Sequence, residues 1–208
     1  MVITDPAYLK GREAVAVCRA AVRGGATMIQ VRWKGGPAPD LLALTRALVS
    51  VLPVPVLVND RVDVALAVRA AGAHLGQDDV PPAAVRPHVP PGFILGTSVG
   101  SIGEAERARH WPVDYWSIGP CYLTANKPDA GPPLGPEGFA ALARLAPAGL
   151  PVLAIGGIGP ANALAVMGAG AAGVAVIGAV LGAGDVETAA RNIRTALDSG
   201  FDSRSAAP

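Results

Sequence analysis

The sequence is poor in the residues that staple, span or grip nucleic acid. It has only two cysteines, Cys18 and Cys121, and they form no CxxC pair, which removes a zinc ribbon and a disulfide framework. A reducing, cytoplasmic compartment is the expectation for such a chain. Aromatic residues make up only 4%, so Ala, Val, Leu and Gly must fill the core, a composition suited to close packing of helices on a sheet. The formal net charge is +1 with no basic stripe, which excludes the electrostatic footprint of a nucleic-acid binder. No apolar run approaches the ~20 residues needed to cross a bilayer. The run GVAVIGAVLGAG near Val174 is short and broken by glycine. The N-terminal MVITDPAYLKGRE shows no charged stretch followed by an apolar one, so no signal peptide is expected.

What the chain does have is alternation. Short β-branched runs at Val2–Thr4, Met28–Trp33, Val56–Val58, His74–Gly76, Ile94–Thr97, Tyr115–Ile118, Val152–Ile155 and Val174–Ile177 read as strands. Between and after them, helical patterns cover Arg12–Arg23, Asp40–Ser50, Val62–Ala71, a short Pro82–Arg86, Gly103–Arg109, Pro136–Leu145, Ala161–Met167 and Val186–Leu197. Strands alternating with helices predict a parallel sheet, and eight such units predict a closed (β/α)8 barrel. At 208 residues the chain is one domain at the lower end of that barrel's range. The barrel is expected over residues 1–199, with 200–208 as a disordered tail.

Active sites of such barrels lie at the C-terminal ends of the strands, with phosphate often held after strands seven and eight. Strand two ends in Gln30-Val31-Arg32-Trp33-Lys34, and pleat alternation puts Gln30, Arg32 and Lys34 on one face. Amide, guanidinium and ammonium on an interior face are costly unless they meet anions. Strand three ends in Asn59-Asp60-Arg61, where either polar residue can cap the helix starting near Val62 while the other points into the mouth. Strand four ends in Gly76-Gln77-Asp78-Asp79, and capping competes there too. Converging carboxylates repel unless a cation lies between them, and hard oxygen donors suit Mg²⁺, which completes its shell with water and substrate phosphate. Strand five ends in Thr97-Ser98. Strand six leads into a loop of about 17 residues, Pro120–Pro136, carrying Thr124, Asn126 and Lys127. A loop beyond about 12–15 residues usually serves as a lid or binding loop. Strands seven and eight end in Ile155-Gly156-Gly157-Ile158 and Val176-Ile177-Gly178, where glycine lets backbone N–H groups approach a phosphate. His74 reads as a hydrogen-bonded barrel residue, and His88 and His110 as surface groups.

Together, Gln30-x-Arg32-x-Lys34, Asn59-Asp60-Arg61-Val62-Asp63-x-Ala65, His74-Leu75-Gly76-Gln77-x-Asp79, Gly96-x-Ser98, Gly119-Pro120, Thr124-x-x-Lys127 and Gly156-Gly157-Ile158 give the chain a specific likeness. In this order, across nearly its whole length, it resembles the thiamine phosphate synthase family. That family joins hydroxymethylpyrimidine pyrophosphate to hydroxyethylthiazole phosphate, forming thiamine phosphate and pyrophosphate. The resemblance implies a transferase working by a Mg²⁺-assisted dissociative substitution, with Mg²⁺ on Asp60 and Asp79. It places Gln30, Arg32, Lys34, Asn59 and Lys127 around the pyrimidine pyrophosphate. Ser98 falls near the reacting groups, with Thr124 and Asn126 as further substrate contacts. Gly157, Ile177 and Gly178 fall at the thiazole phosphate. Lys127, Ser98 and Arg32 are the expected catalytic group. Asp63 and Asp78 are left as structural.

The chain departs from the family in three places. Trp33 stands where glutamate is common, Asn126 where threonine is common before the lysine, and Gly100 where the related thiazole tautomerases carry histidine. The last argues against a tautomerase-like isomerase. A non-catalytic thiazole phosphate-binding barrel is the other alternative. The expected partners are small phosphorylated molecules, not nucleic acid or membrane, and homo-oligomer formation is left open.

Overall fold

The computed structural model describes residues 1–125 and 131–205, with backbone only beyond residue 199. The eight expected strands all form. They are β1 (Val2–Ile3), β2 (Ile29–Val31), β3 (Val56–Asn59), β4 (Gly72–Leu75), β5 (Ile94–Val99), β6 (Tyr115–Ile118), β7 (Val152–Ile155) and β8 (Gly173–Ala175). Each pairs in parallel with the next, in chain order. The sheet closes on itself just past β8. Val2 bridges Val176, Ile3 N–H donates to the Val176 carbonyl at 2.9 Å, and Val176 N–H donates to Met1 at 3.1 Å. The result is a (β/α)8 barrel.

The helices are α1 (Pro6–Leu9), α2 (Ala14–Arg23), α3 (Ala38–Val51), α4 (Val62–Ala67), α5 (Pro82–Val85), α6 (Ile102–Ala108), α7 (Gly135–Ala143), α8 (Ala163–Gly168), α9 (Gly178–Leu181) and α10 (Val186–Ser205), with a 3-10 turn at Arg86–His88. Local chemistry sets their ends. Glu13 caps α2 by accepting from Val15 N–H at 2.8 Å and Ala16 N–H at 2.6 Å. Ser101 and Glu104 form a capping pair at α6: the serine accepts from Glu104 N–H, and the glutamate accepts from Gly100 N–H at 2.6 Å. Helix α2 then buries Val17, Cys18 and Ala21 as one stripe against the sheet.

Pleat alternation sorts the strand residues into two environments. Outward ones, such as Ile29, Val31, Val58, Leu75, Leu95, Trp116 and Ile118, are fully buried under the helices. Inward ones follow the register Ile3↔Gln30, Gln30↔Leu57, Asn59↔His74, His74↔Gly96, Gly96↔Tyr115 and Ser98↔Ser117. The outer layer is therefore a dry hydrocarbon core, while the barrel's inside carries polar side chains.

Several boundaries differ from the sequence pattern, and the clearest differences have local reasons. Strand β2 stops at Val31, because the Thr4 hydroxyl brackets the Arg32 backbone, accepting its N–H at 2.9 Å and donating to its carbonyl at 3.1 Å. Helix α4 stops at Ala67, not Ala71, since Arg69 turns into the left-handed region at φ 55°. Helices α1 and α9 are too short to show a period and went unanticipated. Helix α10 continues past Leu197 to Ser205. Among the described residues, no helix is long and apolar enough to cross a membrane.

Gly72 marks the tightest approach between strands, since a Cβ there would lie 1.9 Å from the Ile94 carbonyl oxygen. Gly72→Ala must push β4 and β5 apart, and we expect a loss of about 1–3 kcal/mol or more in urea unfolding, as overpacked cores show.

Candidate active site

The barrel mouth holds two polar groups that meet at the β3–β4 edge. The first is ionic. Asp60 follows β3 in the left-handed conformation, φ 63°, a region that Asp and Asn tolerate better than other non-glycine residues. Its N–H donates to the His74 carbonyl at 2.8 Å, which pins the turn. The anticipated capping does not occur, because Arg61 is the N-cap of α4 and makes no side-chain cap bond. With Asn59 and Asp60 both released from capping, the Asp60 carboxyl meets the carboxyl of Asp79 within hydrogen-bonding contact and lies 3.3 Å from Lys34 Nζ. Burial and the neighbouring Asp79 push the Asp60 carboxyl above its ordinary value, and Lys34 only partly offsets them. Asp79 also accepts from Gly76 N–H at 2.6 Å, so it closes the β4–α5 turn instead of capping α5. Asp78 is exposed, and Asp63 is taken by Arg61, whose guanidinium holds that carboxyl below its usual range.

Two carboxylates in contact with one lysine leave an excess of negative charge in a half-buried pocket. Their hard oxygens fit Mg²⁺ in its usual mode, one or two protein carboxylates with substrate phosphate and water completing the shell. Among the described residues there is no cluster of three or more ligating side chains that would mark a cage built wholly by the protein.

The second group is neutral and lies inside the barrel. Gln30, 2% exposed, lies beside this group, with its Nε2 directed to Met1 Sδ at 3.5 Å. Tyr115 is 2.8 Å from His74 Nδ1, and His74 Nε2 is 2.9 Å from Ser98 Oγ. The Ser98 carbonyl in turn accepts from Gln77 Nε2 at 2.5 Å.

Arg32 stands apart from both. Since β2 ends at Val31, the alternation that would align Gln30, Arg32 and Lys34 does not continue. Gln30 points inward, Lys34 turns to Asp60, and Arg32 Nη1 donates to Asp5 Oδ2 at 2.6 Å with both side chains mostly covered. The other oxygen of Asp5 caps α1 through Ala7 N–H at 3.0 Å. Trp33 packs over Gly36, where a Cβ would come 2.2 Å from the indole.

At the far side of the mouth, the loop after β6 is tied at its neck. Leu134 N–H donates to Pro120 and Gly135 N–H to Cys121, both at 2.9 Å, while Cys121 and Tyr122 N–H donate to Ile155 and Gly156. Gly157 lies directly under this neck at φ 64°, where a Cβ would sit 2.5 Å from the Leu123 carbonyl oxygen. Thr124 is half-buried beside it, whereas Asn126 and Lys127 lie outside the described residues. Ile177 is the N-cap of α9 and Gly178 its first residue, and a Cβ on Gly178 would come 3.0 Å from the Tyr8 ring. Arg12 fastens that wall, donating to the carbonyls of Leu9, Tyr8, Ala183 and Leu181. Cys18 and Cys121 are unsuited to nucleophilic work, as burial pushes their thiols up to about 12 and about 11. Gly100 has no side chain, and one there would bring its Cβ 3.0 Å from the Gly119 carbonyl oxygen.

The structure thus brings Lys34, Asp60 and Asp79 together and joins Ser98 to Tyr115 through His74. Asn59, in register with His74, lies between the two groups. Asp5, Tyr115 and Arg12 were not anticipated. Tyr115 could have been found from its place opposite a glycine in the β5–β6 register. The partners of Asp5 and Arg12 are distant in sequence and left no local signal.

Known proteins resemble this chain in sequence and in fold. A family model described as thiamine monophosphate synthase matches residues 1–180. The chain is 48% identical to the thiamine-phosphate synthase of Roseiflexus sp. (strain RS-1), over 99% of this chain and 88% of that protein. It is 46% identical to that of Methanoculleus marisnigri, over 93% and 92% of the two. A thiamine phosphate pyrophosphorylase from Pyrococcus furiosus superposes with TM-score 0.86 at 35% identity, covering 96% of each chain. Orotidine 5'-phosphate decarboxylase of Pyrococcus horikoshii, at 16% identity and TM-score 0.70, shares the fold alone.

The raised carboxyl of Asp60 has a consequence for stability. Its folded value lies above the unfolded one, so its favourable contribution exists in acid and is lost as pH rises through the folded value. At neutral pH the ionised carboxylate is a cost. Asn tolerates the left-handed backbone equally well. Asp60→Asn should therefore keep or raise Tm in metal-free buffer at neutral pH, by up to roughly 2–4 °C, with the difference fading toward pH ~4. Thermal melts across pH check this.

Proposed function

Because the chain belongs to the thiamine monophosphate synthase family, we propose that it joins hydroxymethylpyrimidine pyrophosphate to hydroxyethylthiazole phosphate, giving thiamine phosphate and pyrophosphate. The observation that carries this reading is the Lys34–Asp60–Asp79 group at the barrel mouth, a site whose charge and donor set suit a metal-bound pyrophosphate.

Asp60 and Asp79 would hold Mg²⁺, and the bound ion would supply positive charge to the leaving pyrophosphate. Lys34 lies beside them and gives a mobile ammonium to the same anion. Arg32 contributes a guanidinium whose position is set by Asp5. Lys127, in the segment that follows β6, adds a further positive charge for the same anion. The carbon–oxygen bond to pyrophosphate breaks with its electron pair leaving on oxygen. The methylene cation left on the aminopyrimidine is stabilised by its own ring and captured by the lone pair of the thiazole nitrogen. No protein nucleophile is needed, in keeping with two buried, protonated cysteines. What the protein supplies is fixed charge at the leaving group and two held rings. Asn59 and Gln30 contact the pyrimidine side, and Ser98 donates a hydrogen bond near the reacting groups. Thr124, Asn126, Gly157 and the Ile177–Gly178 backbone take the thiazole phosphate.

The test is pyrophosphate release with both substrates present. We expect turnover that requires Mg²⁺ and falls at least ~10²-fold in Asp60→Asn and in Lys127→Ala, the scale on which losing a preorganised charge partner acts. Undiminished turnover in both variants would sink the residue assignment. Thiazole phosphate binding without any pyrophosphate release would sink the activity itself and favour a binding barrel.

A further inference from the structure

We propose that Tyr115 and His74 are positioning residues that orient the Ser98 hydroxyl as a hydrogen-bond donor toward the barrel mouth, through a one-way chain running Tyr115–His74–Ser98. The inference rests on the synthase reading only for what Ser98 then serves. The wiring stands on the structure.

Each link has one sensible direction. Tyr115 is 5% exposed, and burial pushes its hydroxyl well above its ordinary value, so it keeps its proton. That hydroxyl lies 2.8 Å from His74 Nδ1, and a phenol is the better donor of the two, so we assign the proton to this bond and Nδ1 as its acceptor. In neutral imidazole the other nitrogen must then carry hydrogen. Nε2–H donates to Ser98 Oγ at 2.9 Å. With its oxygen taken as acceptor, Ser98 has its own hydrogen to give, and it is the half-exposed member at the top of the chain.

The surroundings are built for this line. Gly96 stands opposite Tyr115 in the β5–β6 register, and a Cβ there would fall 2.1 Å from the ring and 2.5 Å from the hydroxyl oxygen. The His74 and Tyr115 rings stack at 5.5 Å, 30° apart. The Ser98 backbone is clamped by Gln77, whose side-chain oxygen accepts from Arg107 Nη2 at 3.3 Å. Both ends of Ser98 are thus held, its carbonyl from outside and its hydroxyl from within.

A purely structural chain and a positioning chain differ in one readout, the coupling to Ser98. Tyr115→Phe keeps the ring and removes the proton that fixes the tautomer. We expect kcat to fall roughly 10- to 100-fold, the range seen when a partner that fixes an imidazole tautomer is removed, with KM for both substrates within about twofold. In a Ser98→Ala background the same change should cost nothing further, because the chain then has no end to orient. His74→Gln, which can accept from Tyr115 and donate to Ser98, should retain more kcat than His74→Leu. Equal losses from Tyr115→Phe with and without Ser98 would overturn the proposal. A readout independent of turnover is the nitrogen-15 spectrum of the metal-free wild type, with His74 assigned by comparison with His74→Gln. The Nε2–H tautomer supports the wiring, and an Nδ1–H tautomer overturns it even if the chain proves inactive on both substrates.

Discussion

Everything at the site depends on closure of a parallel sheet. The Val2–Val176 bridge joins first strand to last, and with all strands parallel their C-terminal ends share a single rim. Residues separated by most of the chain, Asp5 and Gly178 for example, then face one opening. Closure also seals the interior from the helices, so the inside can carry Gln30, His74 and Tyr115 while the hydrocarbon core lies in the outer layer. A polar interior is tolerable because its members satisfy one another.

The two polar groups do different work and are placed accordingly. The carboxylate group is half-exposed, carries an unbalanced negative charge, and stands on a left-handed residue. Its arrangement is poor for an empty pocket and good for one that receives a cation with its phosphate. The inner chain is neutral, nearly sealed and internally bonded. They meet where the Asp60 N–H donates to the His74 carbonyl, so the carboxylate group and the residue that faces Ser98 share a peptide contact.

The fold was legible because alternating strands and helices produce a periodic signal that eight repeats make redundant. Tyr115–Ile118 and Val152–Ile155 emerged with the expected bounds. Elements of four residues, α1 and α9, carry no period and could not be seen. Asp60 and Asp79 were visible as types, yet on their own Asn59 and Asp60 read first as helix caps. What separates the two readings is a backbone dihedral at residue 60, which sequence does not display. Arg32 shows the opposite limit. Its type and spacing suggested alignment with Gln30 and Lys34, but the strand ends one residue earlier, and Asp5 decides where the guanidinium goes. The inner chain was half legible, with His74 read as a bonded barrel residue and its partner Tyr115 unseen, since the contact spans 41 positions.

The neck of the loop after β6 bears on how such a protein can change over evolutionary time. Because Pro120 and Cys121 are paired to Leu134 and Gly135, the chain leaves and re-enters the barrel at one fixed gate. Closing a loop across a fixed gap costs little more as its length grows. Substitutions and insertions beyond the gate therefore cost the barrel little stability. The rim residues come from strand ends and cannot drift so freely. The length and most of the sequence beyond the gate can therefore change over generations without rebuilding the rim that carries Asp60 and Asp79.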